Sequence, residues 1–215
     1  MQLVPAYLPN VAYMAEYIAR PTRFTLLGNY QKQTFRNRCS IFGANGKLNL
    51  IIPVKHNKTK AHQQDSEVFI KWDENWQKQH WKSIASAYSS SPFFEYYEDE
   101  LKAVFFLQPK TLVEFNLSLL SCINAWLEVE ENFSFAEDYV TLEDTAKNLL
   151  NPKLDSRFAF PKYIQVFNSK HGFLPNLSVL DLIFNIGPES YDYLKQVASP
   201  NPNGWWWDSD QKVFL

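Results

Sequence analysis

Cysteine, glycine, histidine and methionine are all scarce in this chain of 215 residues, which has two Cys, six Gly, four His and two Met. Cys39 and Cys122 have no CxxC spacing, which excludes a disulfide framework and a cysteine-based zinc site and fits two reduced thiols. The few glycines form neither GxGxxG nor a P-loop, so the standard nucleotide fingerprints are missing. No Gly-x-Ser-x-Gly nucleophile elbow occurs either. His56 and His62 stand six apart in a polar loop, and no His/Cys cluster has metal-ligand spacing, so no metal is expected. No motif identifies a cofactor. No apolar run approaches the ~18 residues of a membrane span. The opening MQLVPAYLPN lacks a basic n-region and does not read as a signal peptide. These absences predict a cytoplasmic protein without a membrane span. The chain also lacks charge of one sign: its formal net charge of -2 argues against a nucleic-acid partner.

What is abundant is apolar and aromatic. Apolar residues make up 46% and aromatics 16%, with seven Trp, enough for one sizeable core. No repeat or long linker divides the chain. It reads as a single domain: an α/β part over residues 1–72, a helical part over 73–198 and a tail over 199–215. The fold class is α/β, with α+β as the alternative: a βαβ unit and a hairpin form a mixed sheet, followed by a mostly helical C-terminal half. Gln2–Val4 reads as a strand, Asn10–Ala19 as a helix with Asn10 as its N-cap, and Phe24–Leu27 as a second, parallel strand. Thr34–Phe42 and Lys47–Val54 read as a hairpin around Asn45-Gly46, the type I′ signal. Lys55–Asp65 is a polar loop that could close over a site, and Ser66–Ile70 a further strand. Helices are expected over Asn75–Ser89, Pro92–Leu107, Pro109–Glu128, Glu143–Leu149, Lys162–Ser169, Val179–Ile186 and Pro188–Ala198.

The stretch NYQKQTFRNRCSI, residues 29–41, holds Lys32, Arg36 and Arg38 with almost no acid nearby. Alternation puts Arg36 and Arg38 on one strand face, where two guanidinium groups can clamp a phosphate or carboxylate. A solvated face, or pairing with the acids of Glu95–Glu100, is the competing reading. The loop Pro5–Asn10 runs into a helix N-terminus, where free N–H groups favour anions, although its two prolines remove two donors. A rigid connection with Tyr7 packed on the core explains it equally well.

Trp76, His80, Ile84 and Tyr88 follow an i, i+4 row, which turns His80 toward the interior or a pocket. There it serves either as a proton-transfer group or as a satisfied core histidine. Ser178, Asp181 and Asn185 form a narrow polar stripe on an apolar helix, suited to a helix cap or to a pocket wall. Cys39 is a nucleophile candidate with His80 as base, or a packed thiol. Cys122, among Leu119, Leu120, Ile123 and Trp126, reads as core. Trp205–Trp207 is expected to anchor the C-terminus.

In four segments the chain resembles the WbqC-like protein family. They are Pro5-Ala6-Tyr7-Leu8-Pro9; Tyr30-Gln31-Lys32-Gln33 with Asn37-Arg38; Trp76-Gln77-Lys78-Gln79-His80-Trp81 with Ile84, Tyr88 and Ser91-Pro92-Phe93-Phe94; and Gly172 to Ser178, continuing through Asp181 and Asn185 to Gly187. The pattern departs at Val4, where many members carry glutamine, and at Asn10, where an aromatic is common. The family is largely uncharacterised, and some members are encoded among surface-polysaccharide (O-antigen) genes. The resemblance therefore implies a transferase-like enzyme acting on a nucleotide-sugar or another anionic activated donor. Arg38, Lys32 and Asn37 would bind the anion, and Tyr7, Tyr30, Tyr88 and Asn185 would shape the pocket. His80 would be the general base, oriented by Asp181. Two alternatives stand beside it: a non-catalytic binding or assembly protein, and cysteine-dependent acyl transfer. The sequence leaves the oligomeric state open.

Overall fold

The computed structural model describes residues 1–55, 63–72, 75–131, 133–152 and 158–199. His56 and His62 of the polar loop, and the Trp205–Trp207 tail, lie outside the described residues.

The chain opens with the expected βαβ unit. Strand β1 (Gln2–Leu3) leads through Pro5–Pro9 into helix α1 (Val11–Ala19), and β2 (Thr22–Phe24) returns parallel to β1, with Leu3 opposite Phe24. Asn10 caps α1 as read from sequence, its Oδ1 accepting from the Tyr13 N–H at 2.9 Å. The helix ends at Arg20, just before Pro21. A third parallel strand, β5 (Phe133–Phe135), pairs with β2 from far along the chain. Three residues are too few to show an alternation, so the sequence pattern gave no sign of it.

The hairpin is β3 (Arg38–Gly43) with antiparallel β4 (Gly46–Ile51). Parallel and antiparallel pairings are thus both present, in separate sheets of three and two strands. The turn is not type I′. Ala44 and Asn45 form the loop without positive φ, and Gly46 takes φ +98° against Gly43, the arrangement of a type I turn with a glycine bulge.

Four expected elements differ. The second strand, read as Phe24–Leu27, is Thr22–Phe24 and shares only Phe24 with that reading. Thr34–Asn37 is a turn rather than the start of β3, because Phe35 donates its N–H to the Leu150 carbonyl and Asn37 bonds Ile52 through its side chain. Ser66–Ile70 is a 3₁₀ turn at Asp65–Glu67 followed by isolated bridges. Of Lys162–Ser169 only the end is helical, in a short helix at Asn168–His171. Its neighbour Gln165 instead bonds both the N–H and the carbonyl of Leu174 through its side chain.

The helical half follows the expected order: α2 (Trp76–Tyr88), α3 (Phe94–Phe105), α4 (Leu112–Trp126), α5 (Asp144–Leu150), α6 (Asn168–His171), α7 (Val179–Ile186) and α8 (Ser190–Ala198). A capping box between Thr111 and Glu114 starts α4. The aromatic excess is largely interior. Phe184 of α7 meets Tyr88, Phe94, Tyr97 and Trp126, while Phe115 of α4 meets Tyr7, Trp72, Trp76 and Phe105. These rings weld α2, α3, α4 and α7 into the same core that buries α1 and β2.

Candidate functional site

The first loop is closed, not open. Every residue from Leu3 to Asn10 is buried, and the α1 N-terminus already has its acceptors. Val11 donates to the Leu177 carbonyl, Ala12 to the Asn176 side chain and Tyr13 to Asn10. The anion site expected there is filled by the chain itself. Leu8 holds φ +40° with no exposure, a strained conformation kept only because its surroundings fix it.

The basic run divides. Arg36 is neither surface nor clamp. Its Nε donates to Asp65 Oδ1 at 2.9 Å, with both side chains 5% exposed or less. Burial raises the Asp65 carboxyl to about 6, outweighing the pull of Arg36. Because Thr34–Asn37 is a turn, Arg36 and Arg38 do not share a strand face. Arg38, the first residue of β3, is half-buried, and its Nε is buried without a partner. Among the described residues it has no hydrogen bond or ion pair. Tyr30 is half-buried nearby. Burial pushes its phenol up to about 12, against the pull of Arg36 and Arg38. Lys32 is exposed. Asn37 is buried and spends its amide on the Ile52 carbonyl at 2.9 Å.

His80 lies under the end of this hairpin. Its Nδ1 is 3.0 Å from the Tyr7 hydroxyl, and the ring lies close to the backbone of Ile51, opposite Arg38 in the ladder. Burial lowers its pKa from 6.5 to about 4, with the Ile51 backbone opposing. The imidazole is therefore neutral near pH 7 and pairs through Nδ1 with the Tyr7 hydroxyl. Nδ1 is engaged by Tyr7, and both side chains are buried. His80 is placed to hold Tyr7, not as an exposed base.

Asp181 does not orient His80. It is fully buried, its Oδ2 accepting from Tyr163 at 2.6 Å and from Gln165 at 2.7 Å. Burial raises its carboxyl pKa, while Tyr163, Gln165 and Tyr88 pull it down. Tyr88 is buried and accepts the Phe42 N–H at 3.1 Å. Asn185 turns back on its own helix, donating to the Asp181 carbonyl at 2.7 Å. Ser178 caps α7 through Leu180. This stripe is a buried network, which sequence could not separate from a pocket wall.

Cys39 is 2% exposed and burial pushes its thiol up, so it packs rather than reacts. That removes the support for cysteine-dependent acyl transfer. Cys122 is half-buried, pushed up to about 12 by burial and then by Glu100. Among the described residues no group of His, Cys, Asp and Glu could hold a metal, and no helix is long and apolar enough to cross a membrane.

None of the nine residues singled out from sequence lines the cavity of about 610 Å³ between α5, residues 158–160 and residues 174–177. Its walls include Lys47, Thr145, Asn148, Phe158, Phe160 and Asn176. Of the lining, Leu174, Pro175, Asn176 and Leu177 fall in the fourth motif segment. Lys47, Thr145, Asn148, Phe158 and Phe160 carry no local signal, because they meet from separated stretches of chain.

A sequence model of the WbqC-like protein family matches residues 4–155. The match includes the first three motif segments, and the fourth lies beyond it. The uncharacterized protein Rv1507c of Mycobacterium tuberculosis is 26% identical over 220 residues, spanning 88% of this chain and 91% of that protein. No solved structure matches significantly.

Proposed function

This chain belongs to the WbqC-like protein family, and we propose that it is a transferase-like enzyme of bacterial surface-polysaccharide assembly that binds an anionic activated donor at Arg38. The observation that carries the reading is the unpaired Arg38 guanidinium, half-buried beside Tyr30, with its Nε out of water. Leaving a buried donor unsatisfied is costly, and such groups concentrate where a ligand completes them. A phosphate or carboxylate would do so. Lys32 adds a second, exposed charge, and Tyr30 forms a wall. The Tyr7–His80 pair stiffens the hairpin end on which Arg38 stands, a positioning role rather than proton abstraction. The donor class, a nucleotide-sugar, comes from the family resemblance and not from the geometry.

A second reading has its own support. Tyr7, His80, Tyr88, Asp181 and Asn185 all find partners inside the protein, as they would in a binding or assembly protein without catalysis. Titration with nucleoside-diphosphate sugars, beside turnover assays, separates the two. Saturable binding that falls at least about tenfold in a folded Arg38→Ala variant supports the anion site. Binding without turnover selects the non-catalytic reading. Equal affinity in Arg38→Ala removes both the site and the donor assignment.

A further inference from the structure

We propose that the 610 Å³ cavity is a second binding site, and that it takes an anionic monosaccharide: a sugar ring bearing one phosphate or carboxylate. Its volume falls within the ~300–1,000 Å³ of small-molecule pockets. The walls combine ring faces with polar donors. Phe158 and Phe160, both half-buried with centroids 6.5 Å apart, supply aromatic surface of the kind that stacks on sugar C–H faces.

Among the described residues the polar lining is rich in donors and lacks acid. The Asn176 carbonyl oxygen caps α1 through the Ala12 N–H, and its amide N–H groups make no bond among the described residues. Asn148 and Thr145 make no side-chain hydrogen bond there either. Lys47 is exposed on β4, with no ion pair among the described residues. No carboxylate among the described residues lines the cavity. A wholly apolar ligand would cover the half-buried Asn176 amide without pairing it, and would gain nothing from Lys47 and Asn148, which are exposed. Among the described residues a ligand with several phosphates would meet a single cation, Lys47. Amides and a hydroxyl suit sugar hydroxyls, and one lysine suits one anionic group.

This site shares no residue with the Arg38 patch, and its assignment does not rest on the proposed donor chemistry. The experiment is isothermal titration of glucuronate, glucose 1-phosphate, glucose and inorganic phosphate into the wild-type chain, Lys47→Ala and Arg38→Ala. Lys47 is exposed, so its truncation leaves the core intact. The expected result is saturable binding of glucuronate, glucose 1-phosphate or both, with glucose and phosphate weaker. Affinity falls at least about tenfold in Lys47→Ala, the loss of one charge-assisted hydrogen bond, and is unchanged in Arg38→Ala. Glucuronate alone marks a sugar-acid site, and glucose 1-phosphate alone a sugar-phosphate site. Three results overturn the proposal: neither anionic sugar binds; Lys47→Ala keeps full affinity; or Arg38→Ala abolishes binding while Lys47→Ala does not. The last would move the ligand to the basic run and spare the donor reading.

Discussion

Replacing His80 with glutamine should flatten part of the acid sensitivity of this fold. The folded imidazole titrates at about 4 against an ordinary value of 6.5, so the unfolded chain takes up the proton first. The stability linked to this group is complete above about pH 6.5 and is lost as the pH falls toward 4. Two and a half pH units at ~1.36 kcal/mol each bound the effect near 3 kcal/mol, of which about 2 kcal/mol disappears between about pH 7 and about pH 5. Asp65 works in the opposite sense. Its folded value, about 6, lies above its ordinary 3.8, so it adds stability as the pH falls through that window. The wild-type curve is therefore a partial cancellation, and only the difference between proteins isolates His80. Glutamine keeps an amide that can pair with Tyr7 but does not titrate. Urea denaturation of both proteins across this pH range measures the effect. The expected outcome is that the wild type loses about 2 kcal/mol more than His80→Gln between about pH 7 and about pH 5. Parallel curves would show that His80 protonates as easily folded as unfolded, and would return it to the list of exposed bases.

Arg36→Met leaves Asp65 buried without its cation and should cost about 3–5 kcal/mol in urea unfolding, most of it recovered when Asp65 is made apolar as well. Gly187→Ala meets two penalties: φ is +55°, and a Cβ would sit 2.5 Å from the Phe93 ring; the melting temperature should fall by several degrees, a loss of about 2 kcal/mol or more. Tyr163→Phe removes a 2.6 Å bond to the buried Asp181 carboxylate and should cost about 2 kcal/mol near neutrality. That loss shrinks in acid, because protonation removes the buried charge, so a loss independent of pH would refute the ionised carboxylate. Arg38→Met should leave stability within about 0.5 kcal/mol, or raise it, since no partner is stranded, while ligand affinity falls.

The elements legible from sequence are those whose causes are local. The Asn10 cap and Pro21 bracket α1, and Ser178 with Gly187 brackets α7, which runs over Val179–Ile186 as read. What was illegible depends on partners far along the chain. Phe35 and Asn37 continue the alternation of β3, yet Leu150 and Ile52 hold them in a turn. Residues 162–167 have helical periodicity, yet Gln165 bonds Leu174 and Asp181 instead of its own turn.

The same limit governs the site. Histidine, tyrosine and aspartate in a motif are the residues a reaction needs, and also those that satisfy one another when buried. Periodicity places them on an inward face but does not say whether a cavity or a partner waits there. His80 and Asp181 found partners, Tyr7 and Tyr163, and are thereby withdrawn from solvent. Arg38 looked like its neighbour Arg36, yet only Arg36 met a carboxylate. What sets Arg38 apart is a buried guanidinium nitrogen in a side chain that makes no bond among the described residues, whereas Asn37 and Asp181 keep one unpartnered oxygen each beside the bonds they make, and that property belongs to the folded surroundings rather than to the residue. Hence the buried, unpartnered guanidinium nitrogen of Arg38 carries more functional weight than motif residues such as Tyr7 and His80, which satisfy one another.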